Sequence, residues 1–95
     1  MRQYELILIL QPDLDEEANQ GVIERVSNMI TDNGGNILKT DNWGTQQLAY
    51  EIRDFRDGYY TYMEVEFPPE YGTELKQNLR YIEPIIRYML TRKEA

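Results

Sequence analysis

Hydrophobic and polar positions alternate along the chain in a pattern that predicts β-strands separated by helices. The first alternating segment covers residues 3–10, where Leu6 and Leu8 lie on one face and Ile7 and Ile9 on the other. A strand that is apolar on both faces is typical of the middle of a sheet, because both of its faces are covered there. We therefore predict that this strand is central.

Three later segments also have the period of strands: residues 36–52, 59–67 and 85–91. Gly44, in the long second strand, predicts a bend or bulge. The segment 53–58 separates the second strand from the third, and its Asp57-Gly58 pair favours a tight turn at that place. The second and third strands are therefore expected to form a hairpin.

Two segments have helical periodicity instead. Asp15 is placed to cap the first helix, and Asn33-Gly34-Gly35 ends it with residues that tolerate a left-handed backbone. The second helix is expected over residues 70–81. The expected buried stripe of the first helix is Ala18, Val22, Val26, Met29 and Ile30, and that of the second is Leu75, Leu79 and Ile82.

The elements follow the order strand, helix, strand, strand, helix, strand. This order predicts an α+β, ferredoxin-like βαββαβ fold, in which a four-stranded antiparallel sheet carries two helices on one face. The 95 residues suffice for a single domain over residues 1–95. Because two helices cover only one face of such a sheet, the other face is expected to meet water or another macromolecule.

Apolar and aromatic residues are expected to collect on that second face. Ile7 and Ile9 of the first strand and Tyr60 and Tyr62 of the third share it, on strands that should be neighbours. A contiguous cluster of this kind favours a protein interface. Ordinary cross-strand pairing on a partly solvated face is the alternative.

The chain contains no cysteine and no histidine. This excludes disulfides, metal sites built on cysteine or histidine, and nucleophiles activated by histidine. We therefore predict a protein that is not an enzyme and that uses no cofactor and no metal. The N-terminal residues lack the pattern of a signal peptide and no stretch is long enough for a membrane helix, so we expect a cytoplasmic protein.

The chain is acidic, with 10 Lys and Arg against 17 Asp and Glu and a net charge of −7. Such a charge repels a phosphate backbone at long range, so the chain alone should bind nucleic acid poorly. Several basic residues nevertheless fall at strand ends, in a hairpin loop and in the tail, where together they could contact phosphates. They are Arg2, Arg53, Arg56, Arg80, Arg87, Arg92 and Lys93.

The residues alone leave other functions open. The run from Arg56 to Met63 is weakly similar to the RNA-stacking strand of RNA-recognition motifs, but Asp57 stands where that signature has a basic residue. A regulatory module that binds a small ligand at a dimer interface is a further alternative, since such sites leave little trace in sequence. The loop at residues 10–13 lacks the glycine-rich phosphate site of acylphosphatase-like enzymes.

Several short strings, in this order and spacing, are similar to the bacterial small-subunit ribosomal protein six family over essentially the whole chain. They are Met1-Arg2-x-Tyr4-Glu5, Asn33-Gly34-Gly35, Trp43-Gly44, Leu48-Ala49-Tyr50-x-Ile52, Gly58-Tyr59-Tyr60 and Ile85-Ile86-Arg87-Tyr88-Met89. The resemblance implies a structural protein of the ribosome without enzymatic activity or cofactor. It also implies cooperative binding to the central domain of 16S rRNA together with small-subunit ribosomal protein eighteen.

The resemblance implies functional residues as well. The candidates for rRNA contact are Arg2, Tyr4, Gln46, Gln47 and Arg87, and those for partner-protein contact are Ile7, Ile9, Tyr60 and Tyr62. The chain departs from the family at Thr45-Gln46-Gln47, where basic residues are common, and at Glu51, where proline is common. Glutamine can hydrogen-bond to RNA but releases no counterions. A basic partner would supply much of the positive charge that this chain lacks.

Overall fold

A computed structural model describes residues 1–93 of the chain. The strands are β1 (Arg2–Leu10), β2 (Asn36–Ile52), β3 (Phe55–Phe67) and β4 (Ile85–Arg92). The helices are α1 (Glu16–Asp32) and α2 (Gly72–Arg80), and a short 3-10 turn at Pro69–Tyr71 precedes α2. The predicted order and the α+β class are confirmed.

The sheet has the strand order β2-β3-β1-β4, and every neighbouring pair is antiparallel. Strand β1 is central, as predicted, with Ile7 opposite Tyr62 on β3 and opposite Met89 on β4. Strands β2 and β4 are the two edges. None of the helices in residues 1–93 is long and apolar enough to cross a membrane.

The main core lies between the sheet and the two helices. Its buried residues are Leu6, Leu8, Leu10, Val22, Val26, Ile30, Met63, Val65, Phe67, Tyr71, Leu75, Leu79, Ile82 and Ile85. The predicted faces of β1, β3 and α2 are therefore correct. In α1, Ala18 is exposed while Asn19 and Ile23 are buried, so the buried stripe is rotated from the predicted one. The angle at which α1 docks on the sheet decides which side of the helix is buried, and the periodicity of the sequence does not specify that angle.

Both ends of α1 follow the predicted chemistry. The Asp15 carboxylate accepts a hydrogen bond from the Ala18 amide at 2.8 Å and so caps the helix. At the other end, Gly34 has φ +86, and the amides of Gly34 and Gly35 donate to the carbonyls of Thr31 and Ile30. A glycine reaches this left-handed conformation without the strain that a β-carbon causes.

The turn between β2 and β3 differs from the prediction. It consists of Arg53 and Asp54, with φ of 50° and 67°, between the paired residues Ile52 and Phe55. Two residues with positive φ are typical of a tight hairpin turn. Asp57 and Gly58 instead lie inside β3, which begins four residues earlier than predicted. The predicted long, bulged β2 is confirmed, because Gly44 has φ +85 and the register shifts between Asn42 and Gly44.

Candidate macromolecular interface

The face of the sheet that is turned away from the helices, here called the open face, carries side chains from all four strands. Its central members are Glu5, Ile7, Ile9, Trp43, Tyr60, Tyr62, Glu64, Arg87 and Met89. All four residues predicted to contact a partner protein are therefore on one face. Their surroundings differ, however, because the chain itself covers one end of this face.

The covering segment is the distal hairpin, residues 45–58, in which β2 and β3 extend past the end of β1. Leu48 of this hairpin packs on Ile9 and Ile86, and all three are buried. The turn residue Arg53 donates hydrogen bonds to the carbonyls of Glu83 and Ile85 at 2.9 and 3.4 Å. The hairpin thus bends across the open face and reaches the edge strand β4, although it belongs to the opposite edge of the sheet.

Gly58 allows this close approach. A β-carbon at residue 58 would overlap Cγ2 of Ile9 and would lie 3.3 Å from Cδ2 of Leu48. Only a residue without a side chain leaves room for both, so this glycine is required for packing. A sequence can show that a glycine is present, but it does not distinguish a packing glycine from a turn glycine.

The predicted partner-side residues divide between the covered and uncovered parts of the open face. Ile9 is only 3% exposed, because the distal hairpin lies over it. Ile7 and Tyr60 are partly buried against the same cluster. Tyr62 is partly exposed and lies farther along β3, beside Trp43. The uncovered part of the open face is therefore the end that carries Tyr62.

The exposed surface at that end is dominated by Trp43, which the sequence pattern did not single out as a site residue. Its ring is stacked on Tyr62, with 5.2 Å between ring centroids and an interplanar angle of 4°, and the residue remains 46% exposed. Met89 of β4 is also exposed. Large exposed apolar side chains on one sheet face are typical of a docking surface.

Carboxylates border the aromatic pair. The Tyr62 hydroxyl lies 2.5 Å from Oε2 of Glu5 and 3.0 Å from Oε2 of Glu64, and Nζ of Lys93 donates to Oε1 of Glu64 at 3.1 Å. The hydrogen bond to Glu5, and then burial, raise the pKa of the Tyr62 phenol. The bond from Lys93 lowers the pKa of Glu64, which therefore stays ionised at neutral pH. The face thus presents fixed negative charge beside an exposed indole.

The predicted rRNA-side residues do not form one site. Tyr4 is on the helix side of the sheet, where it stacks on Phe67 with centroids 4.1 Å apart. Arg2 pairs with Phe67, whereas Gln46 pairs with Gly58. Those two positions on β3 are nine residues apart, which corresponds to about 30 Å of strand. The structure therefore separates Arg2 and Tyr4 from Gln46 and Gln47, which lie in the distal hairpin.

Both rRNA-side regions contain basic residues. Beside Tyr4, a groove of about 310 Å³ is also lined by Lys76 and Arg92. At the far end of the sheet, Arg87 lies next to the distal hairpin and donates a hydrogen bond to the Tyr50 hydroxyl. The contacts that create these groupings join residues far apart in the chain.

The arrangement is suited to binding another macromolecule. Residues 1–93 contain no group of three or more side chains that could hold a metal ion. The side chains on the open face and in the basic grooves offer apolar area, hydrogen bonds and charge, which are the means by which one macromolecule binds another. The fold and surface define a ferredoxin-like binding domain.

Comparisons with known proteins identify the family. The sequence model for ribosomal protein S6 matches residues 3–92. A small ribosomal subunit protein bS6 from Moorella thermoacetica is 40% identical, covering 99% of this chain and 96% of its own, and one from Shouchella clausii is 42% identical, covering 99% of each. The crystal structure of 30S ribosomal protein S6 from Thermotoga maritima has a TM-score of 0.90 at 32% identity, covering 97% of this chain and 87% of its own. The chain belongs to the ribosomal protein S6 family.

Membership of this family confirms several predictions. Proteins of the family are structural components of the small ribosomal subunit and are not enzymes. As ribosome components they are cytoplasmic. An Arabidopsis thaliana protein with a TM-score of 0.56 and 10% identity, covering 100% of this chain and 95% of its own, shares the fold alone.

Proposed function

We propose that the protein, acting as one domain over residues 1–95, binds the central domain of 16S rRNA cooperatively with small-subunit ribosomal protein eighteen and so supports translation. The observation that carries this proposal is the Trp43–Tyr62 pair, which leaves a large indole exposed on a sheet face that neither helix of residues 1–93 covers. Leaving such a surface in water is unfavourable, and a partner protein that buries it gains affinity.

The charge on this face favours a basic partner. Glu5 and Glu64 border the aromatic pair, and Asp41 lies opposite Tyr62 on the neighbouring strand. Lys93 already neutralises part of the charge of Glu64, so an incoming arginine or lysine would compete with it. Complementary charge steers the encounter and fixes the register of docking, while the exposed indole contributes most of the contact energy.

Cooperativity follows from the charge of the chain. A net charge of −7 repels RNA, so the chain needs both local positive groups and a partner that offsets the remainder. The proposed RNA contacts lie at the two ends of the sheet. Arg2 and Tyr4 are at one end, and Arg87 is at the other, next to the distal hairpin. Gln46 and Gln47, both exposed on the distal hairpin, would add hydrogen bonds that depend little on salt.

The test is the affinity for a central-domain 16S rRNA fragment, measured with and without the partner protein over a series of salt concentrations. We expect binding to become tighter when the partner is present. Equal affinity in both conditions would contradict cooperative binding. Dimerisation induced by a small ligand, with no RNA binding in either condition, would instead support the regulatory-module alternative.

A second measurement tests the protein interface directly. Trp43→Ala removes the exposed indole without removing a buried core residue, and we expect it to cost about 2 kcal/mol or more of binding to the partner, as at an interface hot spot. Tyr81→Ala is the matched control, because Tyr81 is 82% exposed at the end of α2. If both variants bind the partner as tightly as the unmodified protein, the open face is not the interface.

A further inference from the structure

Three arginines from three different elements surround one cleft, here called the arginine cleft. Arg53 comes from the turn of the distal hairpin, Arg80 from the last turn of α2 and Arg87 from β4. The cleft has a volume of about 380 Å³. Three of the 10 basic residues of a chain with net charge −7 therefore line a single surface depression.

Two of the three guanidinium groups are held in place. Arg53 donates from Nη1 to the carbonyl of Glu83 at 2.9 Å and from Nη2 to that of Ile85 at 3.4 Å. Arg87 donates from Nη1 to the hydroxyl of Tyr50. Each guanidinium has five N–H donors, so both keep donors for a ligand. Groups that are already positioned lose less conformational entropy when they bind.

The charge of the cleft is not cancelled by the protein. Within residues 1–93 the ion pairs are Arg56 with Glu51 and Lys93 with Glu64, and neither lies in the cleft. All three arginines that line it are exposed. Neighbouring cations repel one another until an anion binds between them, and the planar guanidinium group matches the oxygens of a phosphate.

Arg80 also affects the stability of its own helix, because it lies in the last turn of α2. A cation in the last turn of a helix offsets the partial negative charge of the free carbonyls there. That effect explains a basic residue at the end of α2, but it does not explain why Arg53 and Arg87 converge on the same place from the hairpin and from β4. The convergence indicates an anionic ligand.

We propose that the arginine cleft binds backbone phosphates of RNA. This inference rests on the proposed function and adds Arg53 and Arg80 to Arg87 as RNA contacts. RNA is favoured over an acidic protein segment, because the partner that suits the open face is itself basic and three arginines would repel it. The cleft gives an acidic chain the local positive charge that contact with a phosphate backbone requires.

Arg80→Gln is the most direct test, because the side chain of Arg80 makes none of the hydrogen bonds identified in residues 1–93 and its loss leaves the hairpin in place. The assay is binding to the 16S central-domain fragment with the partner protein present, over a salt series. We expect roughly three- to tenfold weaker binding at low salt, and a plot of log affinity against log salt that is shallower by about one unit. Arg25→Gln, the same change on an exposed position of α1, should bind as the unmodified protein does.

Arg87→Gln provides an independent variant if Arg80→Gln lowers the unfolding midpoint enough to disturb the assay. Normal RNA binding by both variants, with tight binding by the unmodified protein, would overturn the cleft and the RNA contact proposed for Arg87. Cooperative binding with the partner would still stand. Failure of the unmodified protein to bind the fragment with its partner would overturn both the cleft and the proposed function. If Arg80→Gln weakens binding to the partner protein when no RNA is present, the cleft binds protein, and the RNA assignment is wrong.

Discussion

Arg87 on β4 donates a hydrogen bond to the hydroxyl of Tyr50 on β2, although β4 and β2 are the opposite edges of the sheet. The two side chains meet because the distal hairpin bends across the open face. This bend divides the face into a covered end, where Ile9 is buried, and an uncovered end, where Trp43 is exposed.

Tyr50→Phe removes this bond and should loosen the distal hairpin. Tyr50 and Arg87 are both exposed, so we expect a loss of global stability below about 1 kcal/mol. Local opening should increase instead, because the bond is one of the few that tie the hairpin to β4. Hydrogen exchange should accelerate in residues 45–58 and stay unchanged in the main core. Unchanged exchange in the hairpin would show that the packing of Leu48 and the hydrogen bonds of Arg53 hold it without this bond.

Gly58→Ala should destabilise the protein by about 1–3 kcal/mol, because the added methyl group overlaps Ile9, a buried β-branched residue with little freedom to move. Chemical denaturation measures the effect. Gly21→Ala is the matched control, since an alanine β-carbon at this exposed position in α1 meets no atom within 4 Å. It should stabilise the protein by about 0.5–1 kcal/mol. Equal stability of the two variants would contradict the tight packing at Gly58.

The phenol of Tyr62 should ionise later than an ordinary tyrosine, whose pKa is 10.0, because Glu5 and Glu64 favour its protonated form. A raised pKa in the folded state contributes stability that is fully present below the pKa of the unfolded state. This stability is lost as the pH rises through the pKa of the folded state. Ultraviolet absorbance follows tyrosine ionisation. Tyr62→Phe should remove one phenol that ionises late. The phenol of Tyr71 should still ionise late in this variant, because burial raises its pKa. Loss of a group that ionises near pH 10 would contradict this prediction.

Asp15→Ala should cost about 1 kcal/mol, since it removes the side-chain acceptor for the Ala18 amide at the start of α1. Thermal or chemical unfolding measures the loss. Asp13→Ala is the control, because Asp13 is equally exposed and precedes the cap position. A similar loss in both variants would indicate a general charge effect rather than capping.

Much of the fold is predictable from local patterns. The alternation through β1 placed Leu6 and Ile7 on opposite faces, and Asp15 marked the start of α1. These predictions are confirmed because each depends on residues within a few positions of one another, where the geometry of a strand or a helix turn leaves few choices. The order of the elements then restricted the topology to a ferredoxin-like sheet with one open face.

The sequence by itself therefore determined the elements, their order and the existence of an open face. Only the tertiary structure decided that the turn lies at Arg53-Asp54, that Ile9 is covered and that three arginines converge. The covered end of the face and the convergence of the arginines depend on bonds between residues 30 and 37 positions apart, Arg53 to Glu83 and Arg87 to Tyr50. No local period records such contacts, because they arise when a bulged hairpin bends over a sheet that other parts of the chain have built.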